Sequence, residues 1–156
     1  LPRAEWTPAG PSSYELLYRS GAGLTPRPLR RIASGGELSR VMLASKVVLG
    51  NADGVDTLVF DEVDAGVGGS TARALAGVLA DLAATHQVIV VTHLAQVAVM
   101  ADKHYVVSKE PGDVPQTHLD EVTGDARTAE IARMLSGDQS EASLAHARQM
   151  LEDARG

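Results

Sequence analysis

An α/β fold, with a mostly parallel sheet flanked by helices, is the architecture this sequence predicts, and three observations carry that expectation. Residues 57–60 and 87–91 are short apolar runs that end in polar residues, as strands buried in a parallel sheet do. Between them Leu75, Val78, Leu79 and Leu82 recur at helical spacing, so strand, helix and strand make a βαβ unit with parallel strands. Aromatic residues are only 3% of the chain, with Trp6 and Phe60 the sole Trp and Phe, which leaves the core to Val, Leu, Ile and Ala.

The elements follow in order. Residues 1–31 hold five of the seven prolines and read as a Pro/Gly-rich lead-in, interrupted by one period-2 stretch at 14–19 that fits an edge strand. From Ser34 the spacing turns helical, with Leu38, Val41, Met42, Ser45, Val48 and Leu49 on one stripe and Ser34 and Glu37 placed as a capping box. Residues 57–60 read as a strand covered on both faces. A glycine-rich turn at 65–69 leads to Ser70, placed to cap the next helix, and residues 87–91 form the second strand. A short helix over 94–100 and a third strand over 104–108 come next. Pro111, Gly112 and Pro115 break the chain before a polar strand at 118–122, and residues 127–135 and 141–154 are helical in period. The expected organisation is the lead-in 1–31, a core at 32–109, and a C-terminal strand and helices at 110–156 belonging to the same domain.

Composition excludes several classes of function. The chain has 156 residues, 44% of them hydrophobic, enough for one modest core. With no cysteine there is no disulfide framework, thiol nucleophile or Cys-based zinc site, and a reducing compartment suits it. No apolar run of membrane-spanning length and no secretory pattern occurs. A net charge of −6 has the wrong sign for a domain that grips nucleic acid by phosphate neutralisation alone. The start at Leu1, in a Pro-rich stretch, reads as the middle of a longer protein.

Three groups of residues carry chemistry. In Ser34-Gly35-Gly36-Glu37 two glycines follow a capping serine, leaving backbone N–H groups uncovered at the positive end of a helix, an arrangement that suits a phosphate. The strand at 57–60 delivers Asp61 and Glu62 at its C-terminal end, where ligands gather in parallel sheets. Asp61 can hold Mg²⁺, which needs only one or two carboxylates, and Glu62 can polarise a water for attack on phosphorus. His93 ends the following strand, where its imidazole can hydrogen-bond a terminal phosphate. Taken singly, each group also fits an ordinary cap, a solvated acidic strand end and a surface histidine. His86, His104, His118 and His146 read as surface or loop residues.

The order and spacing of these groups resemble the C-terminal half of ATP-binding-cassette-type (P-loop) ATPase heads over residues 32–102. Within that superfamily the wording of 33–40, 60–69 and 91–98, and of the tail with Ala129-Glu130-Ile131-Ala132-Arg133-Met134-Leu135, resembles the RecN family of SMC-like bacterial proteins of double-strand break repair. The resemblance implies that Asp61 supports Mg²⁺, Glu62 is the general base and His93 senses the γ-phosphate. It implies that Ser34, Gly35, Gly36 and Glu37 form the signature motif facing ATP held by a second head, and that Asp64 acts across the interface between heads. It further implies DNA engagement through the full-length protein and a cytoplasmic, nucleoid-associated location. A complete head also needs Gly-x-x-x-x-Gly-Lys-Ser/Thr, and no Gly-Lys pair occurs here. The partner that the resemblance implies is therefore the N-terminal half of the same head, and the chain by itself is expected to be inactive.

Other readings stay open. The chain could serve as a head–head interaction module of another SMC-like or ABC-type ATPase. Residues 66–71 approach a dinucleotide fingerprint, but Thr71 stands at its sixth position and the next strand ends in Thr92-His93 rather than an acid. No two histidines stand at zinc-ligand spacing. Arg27, Arg30 and Arg31 form a small basic cluster that fits either solvated loop charges or a contact with DNA or nucleotide.

Overall fold

A computed structural model of the chain describes residues 15–31, 34–50, 54–110 and 116–155. Tyr14, at the start of the expected edge strand, Ala33 and the Pro111-to-Pro115 break lie outside the described residues. The lead-in strand shrinks to β1, Leu17–Tyr18, paired antiparallel with β2, Arg27–Pro28, and a 3₁₀ turn at Leu29–Arg31 follows.

Helix α1, Gly35–Leu49, starts where the capping signal puts it: Ser34 has an extended backbone and its side chain accepts from the Glu37 N–H at 3.4 Å. Strand β3, Thr57–Asp61, helix α2, Gly69–Ala83, and strand β4, Gln87–Val91, make the expected βαβ unit. The two strands are parallel in a register running from Thr57 opposite Gln87 to Asp61 opposite Val91, which brings their C-terminal ends side by side. The cap of α2 differs from expectation. Gly68 takes that position without a side-chain hydrogen bond, and Ser70 lies inside the first turn.

The expected single, mostly parallel sheet is instead three two-stranded sheets among the described residues, and only β3–β4 is parallel. After the short helix α3, Ala95–Ala98, strand β5, His104–Glu110, pairs antiparallel with β6, Gln116–Val122, rather than joining β4. Only five residues separate β5 from β6, so the hairpin closes a far shorter loop than a return to the parallel pair. Helices α4, Gly124–Ser136, and α5, Glu141–Asp153, complete the chain.

Two apolar clusters hold these elements. Leu58 and Phe60 of β3 pack with Leu43 of α1, Leu75, Ala76, Leu79 and Leu82 of α2, and Val97 of α3. Ala95, Ala98 and Val99 pack with Ile131 and Ala132 of α4 and with Ala147 and Leu151 of α5. Helix α3 thus belongs to both, and Arg127 ties α4 to its end by donating through Nη2 to the carbonyls of Ala98, Val99 and Ala101.

Burial differs from the sequence-based expectation at β3 and at His86. Strand β3 is covered on one face only: Leu58 and Phe60 are buried, whereas Val59 is 65% exposed. The predicted stripe of α1 faces outward, with Leu38, Met42, Val48 and Leu49 exposed, while Gly36, Leu43 and Lys46 are buried. Leu38, Met42 and Lys46 instead border an open groove of about 230 Å³ whose other wall is Leu58, Val59 and Phe60. Helical periodicity identifies an apolar face, not what covers it. His86, expected at the surface, is buried with Nδ1 2.9 Å from the Thr85 hydroxyl, because the chain turns there from α2 into β4.

Candidate functional site

The site lies where the C-terminal ends of β3 and β4 meet the N-terminus of α1. Directly after Asp61, Glu62 takes a left-handed backbone with φ of 55°, unusual for a residue with a side chain. This turns the chain sharply out of the strand. Hydrogen bonds from Ala65 N to Glu62 O and from Val67 N to Asp64 O, each 3.0 Å, then close the turn at 62–67.

Gly35 and Gly36 bring the α1 N-terminus hard against that turn. A Cβ on Gly36 would lie 2.7 Å from the Glu62 carbonyl oxygen and 2.8 Å from Ala65 Cβ, and one on Gly35 would lie 2.7 Å from Glu62 Oε2. The glycine pair therefore has a packing role at the point where the capping serine exposes backbone N–H groups. Two side chains of α1 fasten the contact. Ser39 Oγ donates to the Asp61 carbonyl at 2.6 Å, and Arg40 Nη1 donates to the carbonyls of Val63 at 3.2 Å and Ala65 at 2.8 Å. Sequence reading assigned Ser39 and Arg40 no role. The available signal was that Gly36, Arg40 and Leu43 share one helix face, the face that is buried.

Asp61 and Glu62 are exposed, and among the described residues neither carboxylate forms a hydrogen bond or ion pair. Free carboxylates at a strand end suit a cation that keeps most of its waters and shares phosphate oxygens. No group of three or more His, Asp or Glu side chains that could enclose a metal occurs among the described residues.

Asp64 is only 1% exposed, and its carboxylate is engaged within its own chain. Oδ2 accepts from Thr92 Oγ1 at 2.5 Å and from the His93 backbone N–H at 3.1 Å, and His93 Nδ1 stands 3.2 Å away. Thr92 Oγ1 in turn accepts from Leu94 N at 3.0 Å. A buried carboxylate is costly unless donors surround it, and these donors come from the end of β4. The His93 ring itself is 71% exposed. The structure thus brings Ser34, Gly35, Gly36, Glu37, Asp61, Glu62, Asp64 and His93 to one end of the βαβ unit. Arg27, Arg30 and Arg31 remain exposed or partly exposed at the lead-in, with Arg30 2.8 Å from Glu15.

No protein-family model matches the chain. Three curated relatives, each called DNA repair protein RecN, match it closely. The one from Treponema pallidum is 51% identical over 92% of this chain and 26% of its own length. That from Deinococcus radiodurans is 53% identical over 95% and 26%, and that from Streptomyces coelicolor 48% over 95% and 26%. The chain spans about a quarter of the length of these relatives. A solved structure described as the structural biochemistry of ATP-driven dimerization and DNA stimulated activation of SMC ATPases gives a TM-score of 0.48. It is 21% identical, across 86% of this chain and 69% of that chain. No described helix is long and apolar enough to cross a membrane.

Proposed function

The chain belongs to the RecN family, and from that premise we propose that it is the C-terminal part of an ATP-hydrolysing head. The phosphate-binding loop would come from the N-terminal half of the same head. The observation that carries the reading is the meeting of the α1 N-terminus, the Asp61-Glu62 strand end and the exposed His93 at one end of a parallel βαβ unit.

In this reading Asp61 would hold Mg²⁺, which would supply charge neutralisation for the phosphates of ATP. Glu62, held close to Gly35 by the left-handed turn, takes the proton of the attacking water. His93 donates toward the terminal phosphate. Ser34, Gly35, Gly36 and Glu37 face the nucleotide of a second head, so that ATP clamps two heads together and hydrolysis releases them, coupled to DNA engagement in repair.

The test is steady-state ATPase activity of the chain assembled with its phosphate-loop half. Glu62→Gln is expected to lower kcat by a factor of about 10²–10⁴, the range for loss of a general base, while leaving ATP binding within about twofold. Turnover by the chain alone, abolished by Glu62→Gln, would contradict the split-head reading. A Glu62→Gln assembly as active as the parent would remove Glu62 from the chemistry.

A further inference from the structure

We propose that Asp64 is a positioning residue for His93 within one chain, fixing the imidazole so that Nδ1 carries the proton and Nε2 faces the reacting phosphate. The kinetic part of this inference rests on the ATPase reading above; the structural part does not.

The burial of the two side chains carries the argument. His93 is mostly exposed, so packing against neighbours cannot set its ring orientation. Asp64 is almost wholly buried, so its carboxylate must be satisfied by specific donors. Among the described residues the donors to Oδ2 are the Thr92 hydroxyl and the His93 backbone N–H, and the ring nitrogen Nδ1 of His93 stands 3.2 Å from the same oxygen. A carboxylate beside Nδ1 favours a proton there and leaves Nε2 as the outward nitrogen, which donates to a phosphate oxygen when the ring is protonated. His93 is thus oriented by a residue three positions past Asp61 in the turn after β3, not by its own strand.

The rest of the network restrains Asp64 itself. Thr92 Oγ1 donates to Asp64 and accepts from Leu94 N, so its hydroxyl proton is committed to the carboxylate. Arg40 holds the carbonyls of Val63 and Ala65, the residues on either side of Asp64. The turn is therefore pinned from α1 on one side and from the end of β4 on the other.

Two measurements test this, one on the 156-residue chain and one on the ATP-hydrolysing assembly. In long-range ¹H–¹⁵N spectra at a pH where His93 is neutral, with His93→Gln assigning the signal, the ring is expected in the Nδ1–H form. Asp64→Asn should shift it toward Nε2–H. In the assembly, Asp64→Asn is expected to lower kcat about 10-fold or more, the usual cost of losing a partner that orients a functional histidine, with KM for ATP within about twofold. The double variant Asp64→Asn, His93→Gln should be no slower than His93→Gln alone, since both act through one ring. Should Asp64→Asn not fold, Thr92→Val should lower kcat severalfold and Thr92→Ser restore it. An Nε2–H ring in the parent chain, or multiplying losses in the double variant, would overturn the proposal. If Glu62→Gln and His93→Gln both leave turnover intact, the ATPase reading fails, and the tautomer alone still decides whether Asp64 orients His93.

Discussion

At the scale of single residues, Gly35 and Gly36 are adjacent yet differ in what an added methyl would meet. At Gly36 the obstacles are a carbonyl oxygen and a Cβ, neither of which can swing away, whereas at Gly35 the nearest atom is the flexible end of Glu62. Gly36→Ala is therefore expected to destabilise the chain by about 1–3 kcal/mol through overpacking, offset in part by up to about 1 kcal/mol of helix propensity. Thermal unfolding should show the midpoint falling by several degrees. Gly35→Ala should leave the midpoint close to the parent value but displace the Glu62 carboxylate, so activity of the assembly falls while stability does not. Equal midpoints for the two variants would show that the turn yields more readily than its backbone contacts imply. The motif Ser34-Gly35-Gly36 was legible in the sequence, but its second role was not. That one glycine contacts a backbone carbonyl and the other a side-chain end depends on the φ of Glu62, which no spacing rule encodes.

At the scale of elements, the junction of α4 and α5 is a polar knot around one carboxylate. Gly137, with φ of 76°, closes α4 with its N–H on the Arg133 carbonyl at 2.8 Å. Asp138 Oδ1 then accepts from Ser143 Oγ at 2.7 Å, Ser140 N at 3.0 Å and Ser136 Oγ at 3.3 Å. The hydrogen bond from Ser143, followed by those from Ser140, lowers the Asp138 pKa from the ordinary 3.8 to about 2. A depressed carboxylate pKa contributes stability that is fully present above the ordinary value and is lost as the pH falls from about 4 through about 2. Asp138→Asn should accordingly melt below the parent at pH 7, and the two midpoints should converge by pH 2. A constant gap across that range would mean that the carboxylate charge is not what closes the junction. Both helices were legible from their apolar period, as were β3, α2 and β4. The pairing of β5 with β6, and the outward face of α1, were not, because strand period and helical period report which side chains share a face and leave the partner open.

At the scale of the whole molecule, one apolar surface is out of keeping with the rest. Val59, Ile89 and Val91 are exposed on the face of the parallel pair opposite its core, and Leu38, Met42 and Val48 are exposed on α1, with Val48 84% accessible. An uncovered apolar sheet face together with a two-stranded sheet whose outer edges find no strand among the described residues is an association surface by ordinary physical criteria. In the proposed reading its occupant is the phosphate-loop half of the same head, and Val59 separates folding from assembly. Its side chain already faces water, so Val59→Ser should change the unfolding free energy of the isolated chain by no more than about 0.5 kcal/mol. If the other half buries that side chain, the same substitution removes about 1.5–3 kcal/mol of burial and weakens complementation by roughly 10-fold or more in a calorimetric titration of the two halves. Phe60→Ala, one position along the strand on the buried face, should do the reverse, costing about 3–5 kcal/mol in the chain itself. A Val59→Ser chain that binds the phosphate-loop half as tightly as the parent would place that half elsewhere, and the exposed face would then belong to contacts between copies of this chain, visible as concentration-dependent sedimentation that the substitution abolishes.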